Sequence, residues 1–117
     1  MKYIVLDTSF ILTAIRNKID LFEELSGYEI IIPEQVINEI KGLENSKLKS
    51  ESNIALKLIK LNKPKIKDFN GKNTDNAIVN YAKKNPDTII ATLDREIKRN
   101  IKNSKLIIRN KKKLEIL

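Results

Sequence analysis

Three short runs rich in apolar and β-branched residues, Lys2–Leu6, Tyr28–Ile32 and Thr88–Leu93, are each followed at once by a stretch suited to a helix. Apolar runs of this length suit strands covered on both faces. A strand leading directly into a helix is the repeating unit of a parallel sheet. The pattern predicts an α/β fold, a three-layer α/β/α sandwich with a mostly parallel central sheet. At 117 residues, with no internal repeat, linker or low-complexity segment, the chain reads as one domain over residues 1–117.

The connecting helices carry their own signals. Asp7-Thr8-Ser9 supplies N-cap residues for a helix bearing Phe10, Ile11, Leu12, Ala14 and Ile15. A second helical piece, Asp20–Leu25, ends near Gly27. Pro33 suits a first helical turn, where its missing N–H costs nothing, and Val36, Ile37, Ile40 and Leu43 form the stripe that follows. Asn45–Ser52 is polar and lysine-rich, a loop or the frayed start of a helix carrying Ile54, Leu58 and Leu61, which Lys63-Pro64 breaks. Lys65–Phe69 is a candidate short strand before a turn at Asn70-Gly71. Asn73 or Thr74 then caps a helix with Ala77, Ile78, Tyr81 and Ala82 on one side, stopped by Asn85-Pro86-Asp87. Arg95–Ile101 reads as a short helix, Lys105–Ile108 as a strand, and Lys111–Leu117 as a basic-to-apolar tail, a further strand or extended edge.

The residue inventory removes whole classes of chemistry. The chain has no Cys and no His, so disulfides, thiolate or imidazole zinc sites, Cys nucleophiles and Ser-His-Asp catalysis are all excluded. Carboxylates, hydroxyls, amides, Lys and Arg remain. Any metal bound through oxygen alone is a hard ion such as Mg²⁺ or Mn²⁺. The three glycines, Gly27, Gly42 and Gly71, are too far apart for a dinucleotide-binding loop or a P-loop. No apolar run approaches the ~20 residues that span a bilayer, and the opening turns acidic at Asp7 before a signal-peptide apolar region forms. The expected location is cytoplasmic, without a membrane partner.

The formal net charge is +8, which suits a polyanionic partner but also fits a lysine-rich proteome. The distribution says more. Between Arg95 and Lys113 stand nine basic residues against Glu96 alone, a local basic face that includes Arg95, Lys98, Arg99 and Lys102.

In an open parallel sheet, function gathers at the carboxyl ends of the strands. Asp7 follows the first strand directly and Asp94 closes the Thr88–Leu93 strand. Asp75 lies in the first turn after Asn73-Thr74, and Glu39 on the helix after Tyr28–Ile32. Each acid also has a bland role open to it. Asp7, Asp75 and Asp94 can simply cap helices, a contribution of about 0.5–2 kcal/mol each, and Glu39 can be solvated helix surface. A haloacid-dehalogenase-like phosphatase would need an Asp where this chain has Ser9, and the acid pair of a response-regulator receiver is missing near the first strand.

The same residues resemble those of the PIN-domain nucleases, over nearly the whole chain. Val5-Leu6-Asp7-Thr8-Ser9-Phe10 is similar to the family's first motif, and Ile32–Ile40, with Glu39 three residues after Val36, to its second. Thr74-Asp75-Asn76-Ala77-Ile78 with Ala82 resembles the third, and Ile90–Glu96, a strand ending in Thr-x-Asp, the fourth. Each is weak alone; four in order at comparable spacing are specific. The resemblance implies a metal-dependent endoribonuclease. It implies Asp7, Asp75 and Asp94 as ligands of Mg²⁺ or Mn²⁺, direct or through water. Glu39 becomes a fourth acid that shapes a second metal position or orients the attacking water. Ser9 and Thr92 match hydroxyl positions that bond the acids or the phosphate. Arg95, Lys98, Arg99 and Lys102 are the candidates to hold the RNA backbone.

Two roles within the family stay open, and one outside it. Ala91–Arg99 and Ile107–Leu114 are similar to the C-terminal part of the PIN nucleases of small-subunit ribosomal-RNA processing, closest to their stand-alone archaeal relatives. Family toxins, which pair with an antitoxin protein, usually carry a further acid near the fourth motif and a non-basic ending; Asp87 and Glu96 partly supply that acid. The third reading is a basic RNA-binding domain that does not cut. The apolar end Leu114–Leu117 is a candidate contact for a homodimer.

Overall fold

A computed structural model describes residues 2–71 and 73–117. In chain order the elements are β1 (Tyr3–Leu6), α1 (Thr8–Arg16), α2 (Leu21–Glu24), β2 (Glu29–Pro33), α3 (Glu34–Lys41), α4 (Lys49–Asn62), β3 (Lys65–Lys67), α5 (Thr74–Lys84), β4 (Ile89–Ala91), α6 (Arg95–Asn100), β5 (Lys105–Arg109) and β6 (Lys113–Ile116). They form one six-stranded sheet in the order β3-β2-β1-β4-β5-β6. The first five strands are parallel and β6 returns antiparallel to β5. This is the mostly parallel three-layer α/β sandwich that the strand–helix alternation predicts.

The two-residue period of the strands divides the core in two. Ile4, Leu6, Ile30, Ile32, Ile89 and Ala91 face the layer of α1–α4 and meet Phe10, Leu12, Val36, Ile40 and Ala55. Val5, Ile31 and Ile90 face the other way, against Ala77, Ile78, Ala82 and Ile97 of α5 and α6. Register keeps these sets in line, since Val5 pairs with Ile31 on one side and Ile90 on the other. A one-residue slip of β1 would exchange its two faces.

Two segments resolve more sharply than their sequence allows. The polar stretch Asn45–Ser52 is a turn and then the first helical turn of α4, which starts at Lys49. The Ser46 hydroxyl donates to the Leu43 carbonyl and accepts from the Leu48 N–H. The buried Ser52 hydroxyl donates to the Ile40 carbonyl at 2.7 Å, tying α4 to α3. At the other end, the basic tail folds back as β6. Asn110 and Lys111 both take left-handed conformations (φ 54° and 60°), and the Lys112 N–H donates to the Arg109 carbonyl at 3.2 Å. Two consecutive left-handed residues match the twist of a hairpin. The usual cue is Asn-Gly, and here a lysine follows the asparagine, so the turn is hard to see in the sequence.

Strand order reverses at β1, with β2 on one flank and β4 on the other. The chain leaving β1 and the chain leaving β4 therefore diverge to opposite faces. Their carboxyl ends bound a crevice, the place where open α/β sheets hold ligands.

Candidate active site

Asp7 stands at this crevice, one residue beyond β1. It is 6% exposed and caps α1, its Oδ1 accepting the Thr8 N–H at 2.8 Å. Its second oxygen accepts the Thr92 hydroxyl at 2.8 Å. Thr92 lies one residue beyond β4 and is fully buried. Its Oγ1 also accepts the Asp94 N–H at 3.1 Å. One hydroxyl thus joins the ends of β1 and β4 across the switch point.

Each remaining acid is delivered by a helix start or a helix face. Asp94 caps α6, its Oδ1 accepting the N–H groups of Glu96 (2.8 Å) and Ile97 (3.2 Å). Asp75 lies in the first turn of α5, which Asn73 caps by accepting the N–H groups of Asp75 (2.8 Å) and Asn76 (3.4 Å). Glu39 is on α3, where its Oε1 accepts the Thr8 hydroxyl at 2.7 Å. Capping and clustering thus coexist here: Asp7 and Asp94 each hold a helix start with Oδ1, and the second oxygen of Asp7 is held by Thr92.

All four acids, with Thr8 and Ser9 and an apolar rim that includes Leu48 and Leu93, line one open cleft of about 520 Å³. Their charges oppose one another. Loss of water pushes the Asp7 carboxyl above its ordinary 3.8; the Thr92 hydroxyl and Thr8 N–H partly offset this, and the carboxylates of Asp75 and Glu39 add to it. Asp75 is raised by partial loss of water, by the charges of Asp94 and Glu39, and by its hydrogen bond with Asp94.

This donor set fits a hard cation in kind, being oxygen-only and anionic. Its arrangement is looser than a closed cage. Among the described residues, no group of three or more acidic side chains is gathered closely enough to hold an ion. Mg²⁺ characteristically takes one or two carboxylates and retains several waters, so the adjoining Asp75 and Asp94 are a sufficient donor pair.

Several placements add to the sequence reading. The hydroxyl that reaches Glu39 is that of Thr8; Ser9 is on the cleft wall. Thr8 occupies the first helical position after a capping aspartate, and nothing local in its sequence signals a partner 31 residues away. Arg95, Lys98, Arg99 and Lys102 lie on and just after α6, and none is among the residues lining the cleft. The Arg99 guanidinium meets Glu96 at 3.0 Å, with both side chains 70% exposed. Among the described residues no helix is long and apolar enough to cross a membrane.

A family model described as a PIN-like domain matches residues 4–112. The chain belongs to the PIN-like domain family. The ribonuclease VapC4 of Methanocaldococcus jannaschii is 33% identical to it, with 99% of this chain and 97% of that protein covered. Among solved structures, the PIN domain endonuclease Utp24 superposes with a TM-score of 0.81 at 25% identity, covering 97% of this chain and 90% of that one. VapBC2 of Rickettsia felis, solved bound to a DNA fragment from its promoter, has a TM-score of 0.62 at 23% identity, covering 88% and 98%. This last likeness concerns the fold alone. The match to the family model contains all four acids of this PIN domain.

Proposed function

We propose that this PIN domain is a divalent-metal-dependent endoribonuclease, hydrolysing RNA phosphodiester bonds with Asp7, Glu39, Asp75 and Asp94. The observation that carries the reading is the meeting of these four acids, from four separate elements, on one cleft at the carboxyl ends of β1 and β4. Solvated or purely capping acids have no reason to share a cleft in which Asp7 and Asp75 are pushed up by lost water and by neighbouring carboxylates.

Asp7, Asp75 and Asp94 would hold Mg²⁺ or Mn²⁺, directly or through water, with Glu39 at a second position or on the attacking water. The ion, when bound, supplies an activated water and stabilises charge on the phosphate. The chain's own groups set the geometry. Thr92 fixes the Asp7 carboxylate and the Asp94 backbone together, and Thr8 fixes Glu39. Basic residues on and just after α6, Arg95, Lys98, Arg99 and Lys102, would hold the RNA backbone.

A role in ribosomal-RNA processing is the first reading, on the similarity of Ala91–Arg99 and the basic β5–β6 hairpin to the processing nucleases. A toxin held by an antitoxin protein is the second, favoured by the near-full-length match to the ribonuclease VapC4 and by the acids Asp87 and Glu96. A small open reading frame beside the gene favours the toxin. The test of the activity is cleavage of a structured ribosomal-RNA fragment with Mn²⁺ or Mg²⁺, wild type against Asp94→Asn. Cleavage that requires both metal and Asp94 is expected. Equal RNA binding by both proteins, with no cleavage and no metal-dependent stabilisation in either, would leave a basic RNA-binding domain.

A further inference from the structure

Glu39 and Asp75 sit on separate elements, α3 and α5, that approach the cleft from the β2–β3 side of the sheet. What fixes their spacing is not evident from packing. β3, which leads towards α5, is a three-residue edge strand with every residue exposed. Between it and α5 the chain runs through Asp68–Asn73, with Asn70 in a left-handed conformation (φ 55°).

One side chain spans the gap. Gln35, in the first turn of α3 and half-buried, donates from Nε2 to Asp68 Oδ1 at 3.0 Å. Its Oε1 accepts the Phe69 N–H at 3.3 Å. Asp68 Oδ1 also accepts the Asn70 N–H at 2.9 Å, so the same carboxylate shapes the turn. Among the described residues these are the two hydrogen bonds from an α3 side chain to the segment leading into α5. The clamped end is coupled to α5 by contact. Phe69 is buried and stacks on Tyr81 with ring centroids 4.1 Å apart. Gly71 passes so close to Ala77 that a Cβ there would meet the Ala77 Cβ at 3.3 Å. Gln35 and Glu39 are four residues apart, neighbours on one face of α3. A movement of the clamp therefore changes the position of Asp75 relative to Glu39.

We infer that Gln35 is a positioning residue, whose amide clamps the Asp68–Phe69 turn and thereby sets Asp75 against Glu39 for cation binding. The inference rests on the proposed function for the word cation; the clamp itself does not. A group hydrogen-bonded to a metal ligand typically changes metal affinity about 10–100-fold when removed, and Gln35, acting one step further out, belongs at the lower end of that range. Loss of two hydrogen bonds from an exposed turn leaves the core intact.

The test uses the full chain, wild type, Gln35→Ala, and the double variant Gln35→Glu/Asp68→Asn. The double variant reverses the polarity of the pair. The new carboxylate accepts from Phe69 and from Nδ2 of the new amide at unchanged net charge; because Asp68 Oδ1 alone takes the bonds from both Gln35 and Asn70, the new amide keeps the clamp and gives up the bond from Asn70. Two readouts are taken: amide hydrogen exchange without metal, and Mn²⁺ affinity from titration. In Gln35→Ala, exchange at Phe69, Asn70, Asp75 and Asn76 should accelerate about tenfold or more, with Ile90 and Ile97 unchanged. Mn²⁺ affinity should fall about tenfold, and the double variant should restore it together with the protection at Phe69, Asp75 and Asn76. Unchanged exchange in Gln35→Ala, or failure of the double variant to restore either readout, overturns the inference. Absence of Mn²⁺ binding in wild type would count against the proposed function, while the exchange arm still decides the clamp.

Discussion

At the scale of single residues, the site is a contest between desolvation and hydrogen bonding at Asp7. Its carboxyl ionises at a higher pH in the folded chain than in the unfolded one. As pH rises from about 3.8, the unfolded state releases this proton first, the folded state holds one more proton, and stability falls. Above the folded pKa the whole cost is present. In chelator, Asp7→Asn should therefore melt above wild type at pH 7, and the difference should vanish towards pH 4. With Mn²⁺ the order should reverse, because an ion at 100 times its Kd adds about 2.7 kcal/mol to a protein that binds it. A variant melting below wild type at pH 7 in chelator would contradict the desolvation argument. Thr92→Val tests the opposing term. It keeps the shape but strips two partners from a fully buried position. A loss of about 1–3 kcal/mol is expected, together with a shift of half-maximal Mn²⁺ binding to higher pH as Asp7 loses a bond that lowers its pKa. The places of Asp7 and Asp94 at the carboxyl ends of β1 and β4 were legible in the sequence because each closes an apolar run, although β4 itself stops at Ala91 and Asp94 stands three residues beyond it. The Thr8–Glu39 bond was not legible, since it depends on how two helices cross.

At the scale of elements, apolar packing holds the helices to the sheet, and a few buried polar side chains tie the connections between elements. Asn103, 4% exposed, points its Nδ2 at three carbonyls: Ala82 at 3.1 Å, Asn85 at 2.9 Å and Thr88 at 2.8 Å. These lie at the end of α5 and the approach to β4, so one amide closes the α5–β4 connection from the start of β5. Asn103→Leu should cost about 1–3 kcal/mol, chiefly from the Thr88 carbonyl, because the carbonyls of Ala82 and Asn85 also accept the N–H groups of Asn85 and Thr88. Its Mn²⁺-induced melting shift should match that of wild type, because the cleft lies at the opposite end of β4. A large loss of that shift would mean the connection bears on the site. The sequence placed the strands and most helices, because apolar runs and capping residues are local. It left Asn103 as an ordinary polar residue and the Lys111–Leu117 tail open between strand and edge. A buried amide is recognised only by the carbonyls that fold around it, and a hairpin turn lacking glycine only by its backbone.

At the scale of the whole molecule, charge is divided against itself: the chain carries +8, yet its cleft is lined by four acids and, among the described residues, no lysine or arginine. On the proposed function, RNA phosphates are repelled at the cleft, and basic residues outside it are left to attract them. The basic groups of α6 and the chain after it are not equivalent. Among the described residues Lys98 and Lys102 pair with no carboxylate, whereas Arg99 is engaged with Glu96 and Arg109 with Glu115. Each phosphate contact to single-stranded RNA contributes about 0.7 to the slope of log affinity against log salt. In chelator, where cleavage is silent, Lys98→Ala and Lys102→Ala should each lower that slope by about 0.7, and Arg99→Ala by less, since its guanidinium begins partly neutralised. Asp75→Asn should instead strengthen binding at every salt concentration, by removing an uncompensated negative charge from the phosphate path. If the lysine variants left the slope unchanged while removal of Lys111, Lys112 and Lys113 lowered it, the RNA would run along the β5–β6 hairpin and α6 would be a bystander. If neither set moved it, the net positive charge would reflect composition alone.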